Sequence, residues 1–249
     1  MRILFLNAGY GMGFTKSKRQ YITSLWRYLK PGSSSLKKIA LLIKRVNPEI
    51  IALAEIDSGS ARANFINQVD FLKREGNFAA SIFQCKYKSK PLRKLPVSKN
   101  QGNALLAKRG LAVSHKFHYL SYGVKRLMIE AEFKPNFRLF LVHLALGHRS
   151  RQRQIKQLLR YVKDLEQPVI VAGDFNLLKG TRELDSFLKE GKFCSANKNH
   201  QPTFPSWKPK KELDFFLVSP RIKIKSFKVL PDIVSDHLPI LLEFEVDKG

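Results

Sequence analysis

Acidic residues are scarce in this chain. Asp and Glu together number 20, against 45 for Lys and Arg, which leaves a formal net charge of +25. That balance rules out an acidic, self-solvating chain and favours contact with polyanions, either nucleic acid or an anionic membrane surface. The basic residues are spread along the sequence and not gathered in a tail, so a general lysine-rich bias with no specific partner is the competing explanation. Cysteine is also rare. Cys85 and Cys194 lie far apart and form no metal-like cluster; a structural disulfide between them stays open, and reduced packing thiols are the favoured reading. Long apolar runs are missing too. No stretch is long enough to cross a bilayer, and the opening "MRILFLNAG" is too short for a signal peptide or a membrane span. The expectation is a soluble, cytoplasmic, monomeric protein.

The chain has 249 residues, 44% of them hydrophobic and 26% charged. That is an ordinary globular composition, read as a single domain over residues 1–249. "RILFLN" reads as a strand that breaks at Asn7-Ala8-Gly9. "SSSLKKIALLIKRVNP" reads as a helix capped by Ser35, with Leu36, Ile39, Ile43 and Val46 on its apolar face and Pro48 beyond its end. "EIIALAE" is the next strand, "ANFINQVDFLKREG" a helix stopped by Gly76, and another strand begins around "GNALLAK". "LMIEAEFKPNFRLFLVHLAL" reads as a hairpin turning at Pro135-Asn136, with Leu127, Ile129, Ala131 and Phe133 on one alternating face. "RQRQIKQLLRYVKDL" is a helix. Then follow the strand "PVIVAGD", a short helix near "RELDSFLKE", and strands in "LDFFLV", "IKSFKVL" and "LPILLEFEV". No internal repeat is apparent. The pattern predicts an α+β fold in which two sheets pack face to face with helices outside.

Polar residues recur at the ends of these apolar strands: Asn7, Glu55, His143, Asp174, Asn176, Asp214, Asp236 and His237. Each alone is explained by a cap, a turn or a hydrogen-bonded core histidine. Together, at one rim of a sandwich, they converge on a cleft. "GDFN" holds both readings at once, since Gly, Asp and Asn form turns, yet in an extended chain Asp174 and Asn176 face one spot while Phe175 turns inward. Glu55, Asp236, Asp174, Asn7 and Asn176 are hard oxygen donors, suited to Mg2+ or Mn2+. His143 and His237 supply protons or positive charge, and Asp214 is placed to orient His237. The set points to metal-assisted hydrolysis of a phosphate ester.

The ordered series "LN" (Leu6-Asn7), "LAE" (Leu53–Glu55), "GNALL" (Gly102–Leu106), "VHL" (Val142–Leu144), "GDFN" (Gly173–Asn176), "LDFFLVS" (Leu213–Ser219) and "SDHLPI" (Ser235–Ile240) resembles the endonuclease/exonuclease/phosphatase superfamily over nearly the whole chain. The resemblance implies a DNase I-like four-layer α/β/β/α fold. It implies Glu55 as principal Mg2+ ligand with Asn7 and Asp236 close by, and Asp174 orienting or deprotonating the attacking water. Asn176 would hold a phosphate oxygen, and His143 and the Asp214–His237 pair would stabilise charge on phosphorus. Three departures, Ala54 where many members have Gln, Gly9 where exonuclease III-like enzymes carry Asp, and Leu238 where these often carry Cys, argue against a standard abasic-site endonuclease.

Charge directs the choice of substrate. Lys86, Lys88, Lys90, Arg93, Lys94 and Lys99 precede "GNALL", where Asn103 is a further candidate for substrate contact; Arg149, Arg151 and Arg153 follow His143; Lys208, Lys210 and Lys211 precede Asp214. Basic residues flanking the cleft suit a nucleic-acid backbone, and the expected partner is DNA or RNA. The alternative is a phospholipid or phosphoinositide headgroup, suggested by the aromatic-basic segment "YITSLWRYLKPG". A catalytically silent nucleic-acid-binding protein is a third reading, disfavoured because binding alone needs no intact metal site.

Overall fold

The computed structural model describes residues 1–11, 33–86 and 100–247. The basic positions Lys88, Lys90, Arg93, Lys94 and Lys99, and the segment "YITSLWRYLKPG", lie outside the described residues. Strands β1 (Arg2–Asn7), β2 (Ile50–Asp57), β3 (Ala80–Cys85), β4 (Gln101–Ala107), β11 (Ile222–Val229) and β12 (Ile240–Val246) form one six-stranded sheet, in the order β11-β12-β1-β2-β4-β3. Strands β5 (Ala112–Tyr119), β6 (Leu127–Phe133), β7 (Phe137–His143), β8 (Val169–Asp174), β9 (Cys194–Ser195) and β10 (Asp214–Val218) form the other, in the order β5-β6-β7-β8-β10-β9.

The two orders are the same path traced twice. Each sheet has a central parallel pair, β1 with β2 and β7 with β8, and every other neighbour is antiparallel. No repeat was apparent in the sequence because the halves share topology and not residues. The central strands read as continuous apolar runs because both their faces are covered. One face of each sheet meets the other sheet, through Phe5, Ala52, Leu105, Ile129, Leu141, Ala172, Phe216 and Phe244 among others. The outer face of the first sheet is covered by α1 (Ser33–Val46) and α2 (Gln68–Glu75), through Ile39, Ile43, Val69 and Leu72. The outer face of the second is covered by α3 (His148–Val162) and α4 (Asp185–Gly191), through Ile155, Leu158, Val162 and Phe187. The expected four layers are therefore present.

Local chemistry adjusts several expectations. Ser35 does not cap α1; it lies inside the helix, and its hydroxyl donates to the Val234 carbonyl at 2.7 Å. The helix expected from Ala63 begins only at Gln68, because the Asn67 side chain accepts from the Val69 and Asp70 N–H groups and so fixes its start. Strands β3, β5 and β9 had no sequence reading; β5 is half-exposed and carries little apolar alternation. The predicted hairpin turn stands, with Asn136 at φ 80° donating its N–H to Phe133. No disulfide joins Cys85 and Cys194. Among the described residues no helix is long and apolar enough to cross a membrane.

Phe137 lies fully buried between the sheets, with Phe133 at 5.5 Å and Phe244 at 5.3 Å between ring centroids. It thus ties the second sheet to the last strand of the first. Phe137→Ala removes a large ring from a filled core and should cost about 3–5 kcal/mol of stability. Urea unfolding at constant m-value measures this, and a loss below about 1 kcal/mol would show that the two sheets do not depend on this contact.

Candidate active site

Because the sheets repeat one topology, corresponding strands bring their polar ends to one rim. Asn7 ends β1 and His143 ends β7. Glu55 lies near the end of β2 and Asp174 ends β8. Asn103 stands near the start of β4 and Asp214 opens β10. His237 lies in the loop before β12, and Lys125 lies in the loop before β6. Two local devices aim these groups. In β2 the register with β4 shifts between Leu53 and Ile56, and Glu55 takes φ 53°, so a bulge turns Glu55 out of the strand's alternation. In β8, a Cβ on Gly173 would fall 2.1 Å from the Val142 carbonyl oxygen, so only glycine lets the parallel pair close up beside His143 and Asp174.

Asp174 is the hub. Its Oδ2 accepts from Asn7 Nδ2 at 3.0 Å and lies 3.3 Å from His143 Nε2 and 3.9 Å from His237 Nε2. Asn7 is oriented unambiguously, since its Oδ1 accepts the Gly9 N–H at 3.1 Å. Burial alone would raise the Asp174 pKa, but His237, His143 and Lys125 outweigh it and hold the carboxyl well below the usual range. Asp174 is therefore a buried anion across the neutral range.

His237 is the matching cation. Its Nδ1 donates to Asp214 Oδ2 at 2.8 Å, as expected for the pair, and the same oxygen accepts from the Thr203 hydroxyl. Burial opposes the imidazolium, yet Asp214 and Asp174 push its pKa up to about 10. Burial raises Asp214, but an oxygen receiving two donors stays the acceptor of the pair. The Ser235 hydroxyl donates to the Asn7 carbonyl at 2.6 Å and accepts the His237 N–H at 3.1 Å, so β1 and the loop before β12 are locked together.

Around Glu55 the field reverses. Lys125 Nζ lies 3.2 Å from Glu55 Oε1 and also donates to His143 Nε2; His143 Nδ1 is 3.8 Å from the same oxygen. Burial raises Glu55, while Lys125, His143 and Lys86 together bring it below its ordinary value. Burial and Lys125 lower the His143 pKa and prevail over Asp174 and Glu55, which raise it, so the imidazole favours its neutral form at neutral pH. Lys86 caps the Tyr10 ring at 4.5 Å and donates to its hydroxyl, and burial brings its ammonium down to about 8. Asp236 is raised by burial, and further by the carboxylates of Glu55 and Asp174. A Cβ on Gly9, at φ +50°, would come within 3.1 Å of Asp236 Oδ1, so the family's alternative Asp at this position would press on that carboxylate.

Glu55, Asp236 and Asp174 thus repel one another in a partly desolvated pocket, and hard oxygens in mutual repulsion are a donor set that a divalent cation relieves. The residues fit such an ion. Asp174, Asp214 and His237 also have ligand atoms within 4.8 Å of one another. There, however, the 2.8 Å Nδ1–Oδ2 bond and the Thr203 hydroxyl occupy the space between the groups, so this cluster holds a proton and not a metal.

Other expectations change. Asn103 is buried, and its Oδ1 accepts the Glu55 N–H at 3.3 Å, supporting the bulge. Asn176 does not alternate with Asp174, because β8 has ended; it sits at φ 52°, its N–H bonds Asp174 Oδ1, and its Nδ2 donates to the Leu144 carbonyl. The turn reading of "GDFN" holds, and within that turn the Asn176 N–H orients the Asp174 carboxylate. Arg151 is no basic flank: it is buried, with Nη2 at 2.8 Å from both oxygens of Glu183. Arg153 stacks over Tyr122 at 4.6 Å. Lys125 and Thr203 join the site with no sequence reading, and Lys86, read only as one of the basic residues before "GNALL", lies over Tyr10 and acts on Glu55. No local sequence signal marks Lys125, which reaches the site from the loop before β6.

The sequence model of the Endonuclease/Exonuclease/phosphatase family matches residues 24–237. The chain belongs to this family. Its members are phosphoric ester hydrolases that depend on divalent metal. No curated protein matches the sequence. Solved structures of similar fold include a mannosyl-6-phosphatase of Bacteroides thetaiotaomicron, with TM-score 0.75 and 16% identity over 98% of this chain and 99% of that one. The human Nocturnin catalytic domain with bound sulfate has TM-score 0.73 and 20% identity over 99% and 93%. A functionally unknown conserved protein of Enterococcus faecalis has TM-score 0.73 and 19% identity over 99% and 100%. At these identities the likeness establishes the DNase I-like fold of this family member.

The raised His237 pKa carries a stability consequence. A group whose pKa rises on folding contributes stability that is complete below its unfolded value near 6.5 and is lost as pH climbs through about 10. Stability of this chain should therefore fall from about pH 7 to 10, and His237→Gln should flatten the decline. Urea unfolding of both proteins across that range measures it, and identical slopes would mean that the imidazolium is not held.

Proposed function

We propose that this chain hydrolyses phosphodiester bonds of nucleic acid by in-line attack of water. The observation that carries the reading is the line Asp214–His237–Asp174, a buried imidazolium between two carboxylates, beside an anionic Asp174 fixed by Asn7. Asp174 orients the water and takes its proton as the water oxygen bonds to phosphorus. The ester P–O bond breaks, and the departing oxygen takes a proton from solvent. His237, held charged by Asp214, balances the negative charge that builds on the phosphoryl oxygens, and Lys125 adds a second cation. Glu55, with Asp236 and Asn7, would hold Mg2+ or Mn2+, which when bound supplies Lewis acidity and neutralises phosphate charge. His143 is assigned to phosphate in its neutral form, through its ring N–H.

The substrate assignment rests on the net charge of +25 and on exposed Lys208, Lys210 and Lys211, which precede Asp214 in the sequence. One observation favours a lipid phosphoester as the second reading. Tyr122, Val124, Leu146 and Leu178 are exposed on the three loops next to Lys125, His143 and Asn176, and their apolar surface suits acyl chains.

Labelled single- and double-stranded DNA, RNA and anionic phospholipid vesicles, each with Mg2+ and with EDTA, separate the readings. Cleavage of nucleic acid that stops with EDTA is expected; cleavage of lipid alone would replace the substrate. Glu55→Ala, Asp174→Ala and His237→Ala should each lower turnover by about 10²–10⁴-fold in folded protein. Asp214→Asn combined with His237→Ala should lose no more than His237→Ala alone. Wild-type turnover by a folded Asp174→Ala protein would refute the site.

A further inference from the structure

We propose that Lys125 sets how tightly the site holds its divalent cation, by competing with the ion for the Glu55 carboxylate. The inference rests on the reading of Glu55 as the principal metal carboxylate. Lys125 is no wandering surface lysine. Gln154, fully buried in α3, donates through Nε2 to the carbonyls of Lys125 at 2.6 Å and Tyr122 at 2.5 Å, and accepts the Ala145 N–H at 2.8 Å. Gly123 packs so closely that a Cβ there would lie 2.8 Å from that of Ala145. The loop before β6 is thereby pinned to the start of α3, and the Lys125 side chain, 23% exposed, reaches Glu55 at 3.2 Å and His143.

The physics is that of two cations sharing one anion. In a partly desolvated pocket an ammonium at ion-pair distance from a carboxylate already satisfies it, and a second positive charge drawn to the same oxygens meets repulsion that solvent screens poorly. Affinity for the ion is then lower than Glu55, Asp236 and Asn7 alone would give. His143 and the Gln154 anchor keep Lys125 within the site when it gives up Glu55, so the same ammonium remains available to phosphate oxygens. Lys125 is thus a positioning residue toward the ion and a charge toward the substrate.

Titration calorimetry with Mn2+ as the probe tests the proposal without reference to turnover. Lys125→Met and the polar but neutral Lys125→Gln should each bind Mn2+ at least about tenfold more tightly than wild type, equivalent to about 1.4 kcal/mol. Lys125→Arg, which keeps the charge, should return affinity close to wild type. Near-UV circular dichroism checks the fold, and the two neutral variants guard against one of them failing to fold. Equal or weaker binding by the folded neutral variants overturns the proposal alone. Mn2+ binding that Glu55→Gln leaves unchanged, or no binding by wild type, overturns the metal reading beneath it.

Discussion

Two sheets of the same topology, packed face to face, set where every polar group of this site can stand. The central parallel pairs can pack only if their apolar runs are buried on both sides, so polar residues are confined to the strand ends. The face-to-face contact through Phe5, Ala52, Leu141, Ala172 and Phe244 then aligns those ends at one rim. Asn7 and Glu55 come from one sheet, His143 and Asp174 from the other, and the Asn7–Asp174 hydrogen bond joins them across the sandwich. The geometry of the candidate site follows from core packing, and the loops contribute the remaining charges.

Charge burial is the second constraint. Desolvation works against every ionised group in the pocket, yet Asp174 stays anionic and His237 stays cationic because each is part of the other's field. That mutual support is what a phosphoryl-transfer site requires, since the chemistry needs fixed charges aimed at a developing charge and little reorganisation. Burial is similar for the two histidines and each has two carboxylates nearby; what separates them is the Lys125 ammonium on His143 Nε2, whereas His237 is hydrogen-bonded directly to Asp214.

Much of this was legible in the sequence. Unbroken apolar runs ending in single polar residues gave the central strands and the core of the site, because period and strand-end chemistry are local signals. What escaped depended on tertiary context. Half-exposed β5 carries little apolar alternation, and Glu55 owes its direction to a bulge that nothing in "LAEID" announces. Arg151 looks like its basic neighbours in "SRQRQ", yet α3 periodicity turns it inward to Glu183. Lys125 is one lysine among many in this chain, and no local signal distinguishes it.

The central claim is that one pocket holds two histidines in opposite charge states. Nitrogen-15 NMR of the imidazole rings, titrated from pH 5 to 10 with assignment by His143→Gln and His237→Gln, reads both states directly. The account predicts a doubly protonated His237 ring well above pH 7 and a neutral His143 ring already below its ordinary value near 6.5. A His237 ring that loses its proton at or below that value, or before His143 does, would contradict it.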